Sequence, residues 1–179
     1  MASLISHPAP VVALSVAYGT TIIPKRLIML ALFASVAPDL DVLSFSFGVQ
    51  YAEALGHRGL SHSLLFALGF GFFAFLIAPL LRAKRTTSFL VVTFIVISHI
   101  FLDAITTGGL GVAFFWPFDE TRYFLPWRPV VVSPFSIRRF FSDWGYRVLV
   151  SELRYVWFPC ALFALSCLSW RKMISKTAR

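Results

Sequence analysis

The chain has 179 residues, of which 58% are hydrophobic, 17% aromatic and only 13% charged, and its mean hydropathy is +0.79. Soluble domains carry roughly 25% charged residues, so this composition excludes an ordinary soluble protein and predicts an integral membrane protein. The net charge of +8 lies largely in short clusters between apolar runs. That distribution is typical of membrane orientation signals and argues against a nucleic-acid partner.

Apolar runs separated by basic or polar turns predict about five membrane-embedded helices. The first run, 8–24, has no charge, and no signal-peptide cleavage site is evident near it, so we expect this helix to be retained. The second run, 27–38, is followed by Asp39 and Asp41, and polar residues at such a place predict a helix that ends or breaks against a cavity. The remaining spans are predicted at 62–81, 88–107 and 153–170.

Other local signals complete this reading of the fold. Ser61 is predicted to cap the third span, while Gly69 and Gly71 are predicted to allow close approach of a neighbouring helix. The segment 108–152 mixes aromatic residues, arginines and prolines, which predicts an interfacial loop with short amphipathic pieces. We therefore expect an all-α polytopic membrane bundle that forms a single domain over 1–179.

Three basic clusters set the predicted orientation: Lys25-Arg26, the run from Arg82 to Arg85, and the run from Arg171 to Arg179. With five crossings, all three clusters fall on one side of the membrane, which the positive-inside rule identifies as the cytoplasm. The N-terminus is then outside and the C-terminus cytoplasmic. The arginines of 108–152 oppose this orientation, although that segment is long and also carries acidic residues.

This topology brings the histidines and most aspartates to one level near the outer side. His99 and Asp103 lie four residues apart, which on a helix is about 40° in rotation and about 6 Å in rise. Ionisable residues at membrane depth indicate function, and imidazole with carboxylate is a donor set that zinc accepts. The predicted metal ligands are His7, Asp39, Asp41, His57, His62, His99 and Asp103.

The densest polar cluster is His57-Arg58-Gly59-Leu60-Ser61-His62-Ser63. Its two histidines can turn toward one point, and Arg58 is suited to hold a phosphate or carboxylate group. Asp39 and Asp41 lie two residues apart and point differently in a turning segment. One of them is therefore expected to bind metal while the other orients a ligand or acts as a base.

These motifs resemble the YdjM-like family of LexA-regulated, membrane-bound, metal-dependent hydrolases. The similarity rests on His7, on Ala37-Pro38-Asp39-Leu40-Asp41, on the cluster 57–63 and on the run from His99 to Gly109, and it covers about residues 1–120 well. It implies a bacterial inner-membrane protein with hydrolase activity. The His-x-x-x-Asp element also resembles the zinc-dependent phospholipase C and nuclease group. Four histidines are few for the three-zinc site of that group, so one or two metal ions are expected.

The sequence thus favours a metal-dependent hydrolase that acts at the periplasmic side on a phosphoester or lipid-linked phosphate. Zinc is the expected metal, with manganese as an alternative, and a metal-activated water would attack the ester. Asp39 or Asp41 would serve as general base, Arg58 would hold the anionic group, and Ser61, Thr106 and Thr107 would contact the substrate. A metal-ion or proton transporter using the same cluster is the alternative, and a purely structural metal site is a third reading.

Overall fold

The computed structural model describes residues 1–177, with side chains described as far as Ile174. Within that part of the chain the regular elements are all helical, and two isolated β-bridges, Thr106 with Val130 and Val112 with Tyr123, fasten the long connection. The predicted all-α class is therefore confirmed.

Five apolar helices form the bundle, and shorter helical pieces connect them. The main helices are α1 (Ala9–Tyr18), α2 (Lys25–Val36), α3 (Leu64–Leu76), α5 (Arg85–Ala104) and α8 (Phe158–Thr177). The shorter pieces are a 3₁₀-helix (Ala37–Phe47), a 3₁₀ turn (Leu60–His62), α4 (Ala78–Leu81), α6 (Ile137–Phe140), α7 (Asp143–Glu152) and a π-helical segment (Leu153–Trp157).

Three continuous helical stretches of the described chain are long and apolar enough to cross a membrane. They are Lys25–Phe47, Arg85–Ala104 and Asp143–Ile174. The 20 residues of α5 would extend about 30 Å at 1.5 Å per residue, which matches the hydrocarbon thickness of a bilayer. Helices α1 and α3 are apolar but shorter, with 10 and 13 residues.

The second predicted span changes from an α-helix to a 3₁₀-helix just before the two aspartates. Helix α2 passes at Ala37 into a 3₁₀-helix that ends at Phe47, and Gly48 follows in a left-handed conformation (φ +82°). Pro38 removes one backbone donor at the start of this tighter segment. The expected break at Asp39 and Asp41 is therefore present, as a change of helix type.

The last helix begins earlier than the sequence indicated. Ser142 accepts a hydrogen bond from the backbone N–H of Trp144, which caps α7, and the π-helical segment joins α7 to α8 without a turn. The predicted loop 108–152 therefore ends near residue 142. The first turns of this continuous helix are polar, and for that reason the apolar run alone placed its start at 153.

Helices α3 and α5 pack closely through one of the two predicted glycines. A Cβ atom on Gly71 would overlap the hydroxyl of Thr93 and lie 3.1 Å from the carbonyl oxygen of Phe89. A Cβ on Gly69 would meet no atom within 4 Å, so the expectation for Gly69 is wrong. Gly71 faces the partner helix, and Gly69 faces away from it.

The basic clusters meet at one end of the bundle. Arg26 donates to the carbonyl of Leu80 beside the second cluster, and Arg171 donates to the carbonyl of Ala17 before the first. The side chains of Lys176 and Arg179 lie outside the described part of the chain. This arrangement agrees with the predicted shared side for the three clusters.

Candidate metal centre

Four separate elements bring the predicted ligands together at the end opposite the basic clusters. His99 and Asp103 share one face of α5, Asp39 comes from the 3₁₀-helix after α2, and His62 comes from the turn before α3. The segment before α1 contributes His7. All five side chains are at most 4% exposed.

The ligand atoms of this cluster, which we call the central cluster, have the spacing of a coordination sphere. Nε2 of His99 lies 3.0 Å from Nε2 of His62 and 3.6 Å from Oδ1 of Asp39. Nε2 of His62 lies 3.7 Å from that oxygen and 3.4 Å from Oδ2 of Asp103. A tetrahedral zinc ion with bonds of about 2.0–2.1 Å has ligand–ligand edges of about 3.3 Å.

His7 extends the central cluster from a fifth direction. Its Nε2 lies 3.7 Å from Oδ2 of Asp39 and 3.7 Å from Oδ1 of Asp103, and its ring stacks on that of His99 with centroids 3.8 Å apart. Burial lowers the pKa of His7, so its imidazole stays in the neutral form that binds metals. The structure thus places His7 beside His99 and the two aspartates, where the sequence analysis expected it.

Several buried polar atoms of the central cluster have no hydrogen-bond partner. These are both ring nitrogens of His7 and both carboxylate oxygens of Asp39. A buried polar atom without a partner costs roughly 1–3 kcal/mol, so native proteins rarely retain four of them at one point unless an ion or water satisfies them. The donor set, of three imidazoles and two carboxylates, fits a zinc-class ion.

The histidine rings are fixed from behind by acceptors. Nδ1 of His99 lies 2.8 Å from the carbonyl oxygen of Ser35, and Nδ1 of His62 lies 3.1 Å from Oδ2 of Asp41. When each Nδ1–H donates to its acceptor, the Nε2 lone pair of each ring points into the central cluster. Acceptors of this kind set the tautomer and orientation of metal-binding histidines.

Asp41 is the orienting member of the aspartate pair. Its Oδ1 lies 2.6 Å from Nδ1 of His57, and its Oδ2 accepts hydrogen bonds from the hydroxyl of Ser61 and the backbone N–H of Arg58. Together with His57 and His62 it forms a second group within metal-binding reach, which shares His62 with the central cluster. Nε2 of His57 is buried and has no partner.

Arg58 is fully buried and its guanidinium is occupied by protein groups. It donates to Oδ2 of Asp103 at 3.1 Å, to the carbonyl of Gly108 at 2.9 Å and to the hydroxyl of Thr106 at 2.9 Å. Its backbone has a positive φ of +65°, which is uncommon for a residue with a side chain. These contacts aim Asp103 and tie α5 to the loop that follows it.

The predicted substrate-contacting hydroxyls also bond within the protein. Ser61 donates to Asp41, and Ser63, rather than Ser61, caps α3 by accepting from the N–H of Phe66. Thr106 donates to the carbonyl of Asp103, and Thr107 accepts from the N–H of Val132. The capping expectation for Ser61 is wrong because the 3₁₀ turn delays the start of α3 by two residues.

A buried carboxylate that the sequence analysis did not single out holds the segment carrying His7. Glu152 is 1% exposed and accepts hydrogen bonds from the backbone N–H of Ser3 and from the hydroxyls of Ser3 and Ser6. Trp157 donates to the same hydroxyl of Ser6. The sequence feature that could have identified Glu152 is an acidic residue directly before an apolar run. Nothing in the sequence indicated that it contacts residues 3–6.

Arg122 was also not identified from the sequence. It donates to the carbonyl oxygens of Tyr51, Glu53 and His57, and its guanidinium lies over the ring of Tyr51. Tyr51 in turn meets His57 edge to face, with centroids 5.2 Å apart. Arg122 therefore fixes the loop that leads into His57, Arg58 and His62.

Comparison with known proteins finds relatives among inner membrane proteins. The model of the family described as YdjM inner membrane protein matches residues 1–178. The chain is 38% identical over 181 residues to inner membrane protein YbcI of Escherichia coli (strain K12), an alignment that covers 96% of this chain and 99% of that relative. No solved protein structure matches the chain.

Proposed function

The chain belongs to the family of YdjM inner membrane proteins, and from that premise we propose that it is a metal-dependent hydrolase of phosphoesters. The proposal places a multi-pass protein in the bacterial inner membrane, with the central cluster toward the periplasmic side and the basic clusters toward the cytoplasm.

The single observation that carries the proposal is the set of unpartnered buried atoms on His7 and Asp39. They lie within a cluster whose nitrogens and oxygens are 3.0–3.7 Å apart. Structural zinc sites are closed by four protein ligands, whereas catalytic sites keep a position for water or substrate. Asp39 also lines a groove that opens at the surface, so the groove reaches the edge of the cluster.

In this proposal His62, His99 and Asp103 are the core ligands, Asp39 completes the site through one oxygen, and His7 lies beside the position left for water. When bound, a zinc-class ion would lower the pKa of a water molecule and polarise the scissile ester. Manganese is the alternative ion. A second ion at the group of Asp41, His57 and His62 would have to replace the Nδ1 protons that face Asp41.

The protein's own groups have separate tasks. Ser35 and Asp41 orient the rings of His99 and His62 through their Nδ1 atoms. One oxygen of Asp39 binds the ion in this proposal, and the other, which has no hydrogen-bond partner, is placed to accept a proton from an attacking water. Arg58 holds Asp103, and we assign it positioning of that ligand rather than direct contact with substrate.

The first experiment is elemental analysis of the full-length protein purified in detergent. We expect one or two equivalents of zinc or manganese in the wild type. The double variant His62→Ala/His99→Ala should lose the metal. Ser98→Ala is a matched control, because the Ser98 hydroxyl bonds the carbonyl of Ile95 outside the cluster. The metal-loaded wild type should then hydrolyse a phosphodiester such as bis(p-nitrophenyl) phosphate.

Each outcome has a definite meaning. A wild type that binds no metal after loading would overturn the proposal. Metal binding without hydrolysis of any phosphoester, combined with loss of folding in the double variant, would identify a structural metal site. Uptake of metal into proteoliposomes that depends on His99 would instead support the transporter alternative.

A further inference from the structure

An apolar groove leads from the surface to the central cluster. It encloses about 360 Å³, which is within the range of small-molecule sites. One wall is the segment 1–5, and the other is the segment 133–141. Asp39 and Val42 of the 3₁₀-helix form the floor.

The groove and the central cluster share Asp39. This carboxylate is only 4% exposed, and neither of its oxygens has a hydrogen-bond partner. Phe135 links the groove to the second group as well, because its ring meets that of His57 with centroids 5.4 Å apart. A molecule lying in the groove would therefore have one end beside the metal ligands.

The rim of the groove carries large apolar side chains that would be exposed to water if nothing covered them. Leu4 and Ile5 are 56% and 52% exposed on one wall, while Ile137 and Phe141 are 77% and 82% exposed on the other. Contiguous exposed apolar residues of this kind mark a membrane or ligand contact. In a chain with three candidate membrane spans, the hydrocarbon chains of lipids would reach this rim.

Positive charge and an aromatic side chain lie beside the same rim. Arg138 and Arg139 are exposed on α6, between the apolar residues of the groove wall. A second cavity adjoins the groove at Ser133 and Pro134 and is lined by Arg139 and Trp144. Arginine with tryptophan is typical of the membrane interface, where the guanidinium groups would meet the anionic head group of an amphiphile as it enters the groove.

From this continuity we propose that the groove holds the hydrocarbon chain of a phosphate-bearing amphiphile, which enters sideways from the membrane. This identification of the substrate class rests on the proposed hydrolase function, whereas occupation of the groove by the chain is a separate binding event. The phosphate group would lie beside Asp39, and the hydrocarbon chain would extend between the two walls.

Photolabelling tests the binding event without relying on hydrolysis. The probe is a phosphatidic acid analogue with a diazirine on its acyl chain, added to full-length protein in detergent micelles, with and without zinc. Ile137→Trp and, on the opposite wall, Leu4→Trp would fill the groove. Leu80→Trp is the matched control, because Leu80 is 68% exposed on α4 at the basic end of the bundle.

We expect labels on peptides 1–5 and 133–141, and competition by unlabelled phosphatidic acid. Each groove variant should lower this labelling about tenfold, since several methylene groups lose their contacts. Leu80→Trp should leave it unchanged. In a parallel assay the groove variants should lower kcat/KM for a long-chain phosphoester but leave hydrolysis of a short soluble phosphoester and the metal content unaltered.

Other results would overturn the inference. Labelling spread evenly over the lipid-facing helices and indifferent to both groove variants would mean non-specific lipid contact. Cross-links between two copies through 137–141 would mean that a second copy covers the groove. Groove-specific labelling in a protein that cleaves no phosphoester would refute the hydrolase proposal and leave the lipid-binding groove standing.

Discussion

The Nε2 atoms of His62 and His99 face each other at 3.0 Å, although each ring already has an acceptor at its Nδ1. Two neutral rings donating from Nδ1 present lone pairs to each other, and two lone pairs do not form a hydrogen bond. A cation between or beside them resolves the conflict, whereas a proton on one ring would resolve it in the metal-free protein. Metal and protons therefore compete at this pair.

Asp41 and Asp39 should differ in what their loss does. Asp41→Asn removes a charged acceptor behind His62 and His57, so we expect zinc affinity to fall about 10–100-fold in a folded protein. Asp39→Asn alters a ligand and should weaken binding further. Chelator competition measures both dissociation constants, with Asp119→Asn as the control because Asp119 bonds Thr121 and Tyr123 outside the cluster. Equal effects of the two cluster variants would refute the division of roles.

Arg58 should be essential for folding because it balances a buried carboxylate. Arg58→Lys retains the charge but loses the planar guanidinium group, whose three nitrogens donate to Asp103, Thr106 and Gly108 at once. The contacts to Thr106 and Gly108 are then lost, and each buried polar group left without a partner costs roughly 1–3 kcal/mol, so we expect a clear fall in the thermal unfolding midpoint. Arg138→Lys, at an exposed position on α6, should change the midpoint little. A stable Arg58→Lys protein that loses only substrate affinity would instead favour the substrate-clamp role predicted from the sequence.

Glu152 should control how firmly His7 is held. Glu152→Gln leaves one acceptor oxygen for three donors on Ser3 and Ser6, and each unsatisfied donor costs roughly 1–3 kcal/mol. We expect faster amide hydrogen exchange in residues 3–7 and weaker zinc binding, with little change in α5. Glu120→Gln, in an exposed loop, is the control. Unchanged exchange in residues 3–7 would mean that other contacts hold this segment.

The two glycines of α3 offer a matched test of the α3–α5 contact. Gly71→Ala should destabilise the protein by about 1–3 kcal/mol, because its Cβ would overlap Thr93 and crowd the backbone of Phe89. Gly69→Ala should be neutral or stabilise by up to about 1 kcal/mol, since alanine favours helix and the position is open. Thermal unfolding of both variants in the same detergent compares them directly. Similar midpoints would show that the helices do not rely on this close approach.

The sequence was most informative where one physical rule acted locally. Apolar runs located the helices, and the basic clusters correctly predicted which helix ends lie together, as the contacts of Arg26 and Arg171 show. The rarity of histidine in an apolar chain then identified the cluster residues. For the aspartates, their spacing indicated two different roles, but only the contacts of Asp41 assigned the orienting role to it.

The rest depended on contacts between residues far apart in the chain. Glu152 bonds residues about 150 positions away, and Arg122 bonds carbonyl groups, which carry no sequence signature. The sequence favours Arg58 as an anion clamp because a guanidinium suits phosphate and carboxylate groups. Its burial follows from the positive φ of its backbone and from a loop after α5 that returns to cover it.

The apolar packing below the central cluster has a consequence for how the ion arrives. Core residues such as Ala31, Ala67 and Val96 fill the space between α2, α3 and α5 on the way to the basic end, while the groove opens at the other end. The ion would thus enter and leave through the groove and exchange with the aqueous compartment on that side of the membrane. Occupancy of the central cluster would then depend on the metal concentration in that compartment and not on the metal concentration in the other.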